Sequence, residues 1–221
     1  KLEQLFFMNN YSWLQQKLHQ FALSTKFMRE VAFDVENSLA KKNFNEGSHV
    51  FVAGLARSGT TILLNALYKS QDFASLSYAD MPFVLSPNLW SKISSKKHSS
   101  LQERAHGDGI KVSTESPEAF EEVFWKTFSD EEEEVQEKFK DYVSCIITKY
   151  NKNRYLSKNN QNIRRLNLIS EIFPDSIILI PFRDPIQHAN SLLKQHLKFL
   201  KQSKEDKFIS NYMKWIGHTE F

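Results

Sequence analysis

A chain of 221 residues and 25.9 kDa, 41% hydrophobic and 13% aromatic, is long enough for one large α/β domain with its own core. Six glycines, six prolines and a mean hydropathy of −0.48 exclude fibrous and low-complexity classes, and the longest apolar runs, such as "SIILIPF" (176–182), are too short to span a bilayer. The net charge of +3 is spread out with no aromatic-interleaved basic patch, so nucleic acid is not an expected partner, and a single cysteine excludes a disulfide framework or a cysteine-based zinc site.

Residues 11–42 are expected to be helical, with Trp13, Leu14, Leu18, Phe21 and Ala22 at 3-4 spacing, and residues 1–45 read as a helical segment packed on the rest. "HVFVAGL" (49–55) is a nearly unbroken apolar run ending near a glycine, as in a strand buried on both faces of a parallel sheet. Thr60 to Lys69, with Ile62, Leu63, Ala66 and Leu67, is the next helix. The junction "GLARSGTT" (54–61) has the spacing of a nucleoside-triphosphate phosphate loop, with Thr60 where the lysine should stand. Strand, glycine turn and helix come in the order a phosphate cradle requires. The backbone N–H groups of Arg57, Ser58, Gly59, Thr60 and Thr61, the helix N-terminus and the two threonine hydroxyls would face an anion, with Arg57 replacing part of the missing lysine.

Residues 91–113 are polar and poorly periodic and read as a long, mobile connection. In the helix expected after Ser116-Pro117, Phe120, Val123, Phe124 and Phe128 form a core stripe, leaving Glu118, Glu122 and Trp125 together on another face. The acidic stretch from Glu115 to Glu137 and the basic one from Lys194 to Lys207 read as solvated faces, and Cys145 as a buried inert thiol. "FPDSIILIPFRDPIQHANSLLKQH" (173–196) reads as a turn, a buried strand, Arg183 at the strand's C-terminal end, Asp184 as N-cap and Pro185 at the first helical position. Ile186, Ala189, Leu193, Leu197 and Leu200 form one helical stripe, expected to face the core, while Gln187, His188, Ser191 and Gln195 lie on another. Ligands of open α/β sheets sit outside the carboxyl ends of the strands, so Arg183 and Ser191 are expected to border the same crevice as the 57–61 loop and to hold a second anion there. A magnesium-dependent triphosphate hydrolase would need the loop lysine and an acidic residue at a neighbouring strand end, where "IILIPFRD" offers Asp184 only beyond Pro181 and Arg183.

These residues resemble the sulfotransferases that use 3′-phosphoadenosine 5′-phosphosulfate (PAPS). "RSGTT" (57–61) is similar to that family's 5′-phosphosulfate loop, "RDPIQHANS" (183–191) to its 3′-phosphate site, and "YLSKNNQNIRRLNLISEIFPDSIILIPFRDP" (155–185) to the approach to that site. "HGDG" (106–109) and "SPEAFEEVFW" (116–125) look like the substrate-side region of a bacterial-type branch. The resemblance implies a three-layer α/β sandwich, a central parallel sheet flanked by helices in the phosphate-loop sulfotransferase fold, as a single domain over residues 1–221. It also implies sulfuryl transfer from PAPS to a hydroxyl or amine, with Arg57, Ser58, Gly59, Thr60, Thr61, Arg183 and Ser191 binding the donor and no metal required. A sulfuryl group carries less negative charge than a terminal phosphoryl group, which suits a loop lacking lysine and a magnesium ligand.

In-line transfer needs a general base near the acceptor proton, and Glu118, Glu122, His106 and Asp108 are the candidates, Glu118 and His106 foremost. Relatives with a "PEE"-like element place a catalytic glutamate in it, a pattern from which this sequence departs at Ala119. His188, His196 and Lys158 are read as surface residues near the nucleotide. The acceptor can be a small molecule, carbohydrate, lipid or peptide, since the loops that choose it carry no readable code. The alternatives are phosphoryl transfer by an unusual phosphate loop and non-catalytic nucleotide binding. Members of the family continue past the second anion site, whereas this sequence stops at "YMKWIGHTEF", so a C-terminally incomplete chain is expected; Lys1 in place of Met leaves a cytoplasmic location as the expectation.

Overall fold

The computed structural model describes residues 11–40, 47–94, 102–103, 111–130, 134–205 and 207–217. Four strands form the central sheet: β1 (Val50–Val52), β2 (Phe73–Ala74), β5 (Arg154–Lys158) and β6 (Ile177–Leu179), in the order β2-β5-β1-β6. Every neighbouring pair is parallel, with Val52 opposite Lys158 on one side and Leu179 on the other. A separate two-stranded antiparallel ladder joins β3 (Gln102–Glu103) to β4 (Lys111–Val112) within the region expected to be a mere connection.

Strand alternation sorts the core into two layers. Val50, Val52, Leu156 and Phe73 turn to one face and pack with Leu64 of α3 (Thr60–Tyr68). Phe51 and Tyr155 turn to the other, where α6 (Val135–Tyr150) supplies Phe139, Tyr142 and Ile146 and α7 (Leu166–Ile172) supplies Ile169 and Ile172. Phe120, Val123, Phe124, Trp125 and Phe128 extend this larger core, four of them from α5 (Glu122–Phe128). Helix–sheet–helix is thus the layer order, the three-layer α/β sandwich expected from the sequence.

The expected N-terminal helix is two helices, α1 (Trp13–Leu23) and α2 (Lys26–Leu39), broken where the Thr25 hydroxyl accepts from the Met28 N–H and starts a new N-cap. Helix α2 is tied to the body by polar groups as well as by Phe33, whose ring lies against Phe124 and Phe128. The buried Glu36 carboxylate accepts from the backbone N–H groups of Asn88 and Leu89 and so caps α4 (Pro87–Ile93) from outside. Arg29 donates to Thr127 and to the Leu23 carbonyl.

The helix α8 (Pro185–Glu205) corrects one expectation. Its apolar stripe faces outward: Ile186 is 73%, Leu193 56%, Leu197 57% and Leu200 43% exposed. The inward face carries Gln195 and Phe199, both buried, with His188 and Ser191 half-buried. The reason is positional, because the N-terminal part of α8 lies over the phosphate-type loop, which offers hydrogen-bonding groups instead of an apolar surface. The chain ends its described course in α9 (Lys207–Trp215), which contacts α8 and α1.

Candidate functional site

Among the described residues four strand exits line the sheet's carboxyl edge, and those of β5, β1 and β6 stand side by side around the loop. The β1 exit runs through Gly54 into the loop, where the Ser58 N–H and hydroxyl both bond the Leu55 carbonyl and close a tight turn. A Cβ on Gly54 would meet Pro181 Cδ at 3.0 Å, Ser58 Oγ at 3.1 Å and Thr60 Cγ2 at 3.1 Å, so a side chain there would have to push the β6 exit or the loop aside. Arg57 and Gly59 hold positive φ values of 70° and 102°, and Gly59 serves as the backbone N-cap of α3. For Arg57, a residue with a Cβ, the left-handed conformation costs about 1 kcal/mol. Among the described residues, its chain neighbours aside, none has a heavy atom within 4 Å of a Cβ built on Gly59, so the turn is open just where α3 presents its N-terminus, with Thr60 and Thr61 in the first turn.

The β6 exit brings Arg183 and α8 onto this loop. Asp184 caps α8, accepting from the Gln187 N–H, and Pro185 occupies the first helical position, as the sequence predicts. Arg57 Nε donates to Ser191 Oγ at 3.0 Å, Arg183 Nη1 donates to the Arg57 carbonyl at 3.3 Å, and His188 Nε2 lies 2.6 Å from the Ala56 carbonyl. The two motifs, some 130 residues apart in sequence, therefore share one wall. His188 is half-buried and bonded to the loop, which corrects its reading as a surface residue; His196 is exposed.

The β5 exit supplies residues that the sequence reading undervalued. Lys158 is 5% exposed, which overturns its surface assignment, and its Nζ lies 3.8 Å from Glu118 Oε1. The signal was available: "RYLSK" is a strand ending beside the loop strand, and the carboxyl end is where such sheets place ligand-facing groups. Asn160, just beyond, stands 3.5 Å from the Thr60 hydroxyl. Tyr78, which donates to Glu118 Oε2 at 2.9 Å, carried no sequence signal at all.

Glu118 and Glu122 do not share a helix face, because α5 starts only at Glu122 and Glu118 precedes it. Glu118 is 7% exposed and accepts from Tyr78 and from the Ala119 N–H, with Lys158 beside it. Glu122 is held by both nitrogens of the Arg165 guanidinium at 2.8 Å each and by Asn159 Nδ2 at 2.8 Å. Trp125 is buried, its ring beneath the Arg165 guanidinium at 4.9 Å and its indole N–H donating to Glu121. Glu121, also accepting from Tyr155 and Asn162, completes a network that fixes the segment after β5. His106 and Asp108 lie outside the described residues. Among the described residues no group of three or more His, Cys, Asp or Glu side chains could hold a metal ion, and no helix is long and apolar enough to cross a membrane.

A parallel sheet with a glycine turn, a helix N-terminus and two converging arginines at its carboxyl edge defines an α/β protein of the phosphate-loop type, with threonine at the position of the loop lysine. The family model described as the sulfotransferase family matches residues 49–219, more than half of the chain, and the chain belongs to that family. A crystal structure of sulfotransferase STF1 from Mycobacterium tuberculosis H37Rv is similar in fold, with a TM-score of 0.51 and 13% identity over 83% of this chain. The chain spans 59% of the length of that protein. No curated protein matches it.

Proposed function

We propose that the protein transfers a sulfuryl group from PAPS to a hydroxyl or amine of an acceptor. The observation that carries this reading is the 3.0 Å contact between Arg57 and Ser191, which joins the glycine turn and the Arg183 helix into one clasp for two anionic groups. The turn and the N-terminus of α3, with Arg57, Thr60 and Thr61, bind the 5′-phosphosulfate; Arg183 and Ser191 bind the 3′-phosphate through charge-assisted bonds. Binding the donor exchanges the contacts that Arg57 and Arg183 now make with Ser191 and with the loop carbonyl for contacts with the nucleotide.

Glu118 is the general base of this scheme, since Glu122 is clamped by a bidentate guanidinium charge pair, whereas the oxygens of Glu118 meet a phenol, a backbone N–H and, at 3.8 Å, a lysine. The acceptor O–H or N–H gives its proton to the Glu118 carboxylate while its heteroatom attacks sulfur. The bond from sulfur to the 5′-phosphate oxygen breaks in line, and adenosine 3′,5′-bisphosphate leaves with the bonding pair. Lys158, 3.8 Å from Glu118 at the end of β5, supplies positive charge on the side where the transferring group passes.

The decisive experiment compares two donors. Arg183→Ala should weaken PAPS binding at least tenfold while leaving adenosine 5′-phosphosulfate, which lacks the 3′-phosphate, within about twofold, as expected for loss of one charge-assisted contact. Equal weakening of both by calorimetry overturns the assignment of Arg183, and turnover of magnesium-ATP in place of PAPS overturns the reaction.

A further inference from the structure

We infer that His188 is a positioning residue for the loop, tying the Ala56 carbonyl to α8 so that the strained turn at Arg57 stays set for an anion. The inference rests on the reading of that loop as the donor's 5′-group site. Three bonds cross from the β6 exit and α8 to two consecutive loop residues: His188 to the Ala56 carbonyl at 2.6 Å, Arg183 to the Arg57 carbonyl at 3.3 Å, and Arg57 to Ser191 at 3.0 Å. Two of these involve groups assigned to the nucleotide, so their partners change when it binds. The His188 bond involves none of them and persists through the cycle.

Peptide geometry says what the bond achieves. A carbonyl only accepts, so His188 donates Nε2–H to Ala56. In a trans peptide the C=O of one residue and the N–H of the next point in opposite directions, so holding the Ala56 carbonyl toward α8 turns the Arg57 N–H away from α8. A loop that binds anions must present amides and keep its carbonyls elsewhere. Here the next residue also sits at a φ of 70°, a conformation an arginine abandons unless its surroundings hold it. His188 is half-buried, and its helix is fixed by the Asp184 cap, so it has a rigid base from which to hold the turn.

Two variants separate the hydrogen bond from the shape of the ring. His188→Phe keeps a planar ring without a donor; His188→Gln keeps an amide donor at similar reach. In the ligand-free protein, hydrogen exchange of the Ser58 amide, which bonds the Leu55 carbonyl inside this turn, should accelerate several-fold in His188→Phe, up to about tenfold, the worth of one net hydrogen bond, and return to within about twofold of wild type in His188→Gln. Binding of adenosine 3′,5′-bisphosphate by calorimetry should follow the same order, with melting temperatures lowered by no more than about 4 °C, the range for loss of one hydrogen bond in a chain of this size. Unchanged loop exchange in His188→Phe, or equal acceleration in both variants, overturns the inference. If the wild type fails to bind the bisphosphate while the exchange pattern appears as stated, the donor assignment falls and the His188 tie stands.

Discussion

Glu118 and Glu122 sit four positions apart, a spacing that puts two residues on one helix face, yet their surroundings have nothing in common. Glu122 is a structural anion: a bidentate guanidinium and an asparagine amide hold it, and removing Arg165 takes away the positive charge that offsets the burial of this carboxylate. Glu118 has a phenol, a backbone N–H and a lysine at 3.8 Å among its contacts, groups of a different kind from the guanidinium clamp on Glu122. Glu118→Gln preserves the size, keeps one carbonyl oxygen for the Ala119 N–H, turns the atom facing Tyr78 into a donor that the phenol oxygen can accept, and removes the base. It is expected to lower kcat at least a hundredfold while adenosine 3′,5′-bisphosphate binds within about threefold of wild type. Retained turnover in that variant assigns proton removal to another group.

At the scale of elements, the loop is shaped by what presses on it. Gly54 is pinned between the Pro181 ring and the side chains of Ser58 and Thr60, all at 3.0 to 3.1 Å from where a Cβ would stand. Gly54→Ala should therefore cost about 1–3 kcal/mol in urea unfolding, the range for overpacking, and should weaken bisphosphate binding, because the β1 and β6 exits must part to admit the methyl. A stability unchanged to within 0.5 kcal/mol, as for an ordinary surface substitution, would show that Pro181 yields freely. The same crowding explains α8. Helical spacing predicted which residues share a stripe but not which stripe meets the body, since the neighbour at its N-terminal end is a polar loop.

For the whole molecule, the buried imidazoles of His49 and His19 contribute to the response to acid. Burial, with a smaller contribution from the Arg154 charge, pushes His49 down to about 4, and burial lowers His19 as well. His49 accepts from the Tyr155 N–H in its neutral form. The unfolded chain takes up a proton near the ordinary value of 6.5 while the folded one does not, so the stabilisation is present above about 6.5 and is lost as pH falls toward about 4. His49 alone should remove about 2 kcal/mol between pH 7 and pH 5, with His19 adding to it. Urea unfolding at the two pH values measures this, and a stability that is flat or rises toward pH 5 contradicts it. The edge strand β6 and the segment that follows it also leave apolar side chains exposed, Ile177 by 46%, Ile180 by 53% and Phe182 by 84%.

The sequence by itself determined the loop, its order between strand and helix, and the Arg183-to-Ser191 helix with its cap. Each of these depends on residues within about ten positions of one another, where backbone geometry and spacing suffice. Only the tertiary structure decided which groups meet across long separations: Lys158 with Glu118, Arg165 with Glu122, His188 with Ala56. The physical reason is that a charged or polar side chain has no periodic signature of its own. Its role depends on whether burial brings it a partner, and that partner is set by how the sheet orders its strands.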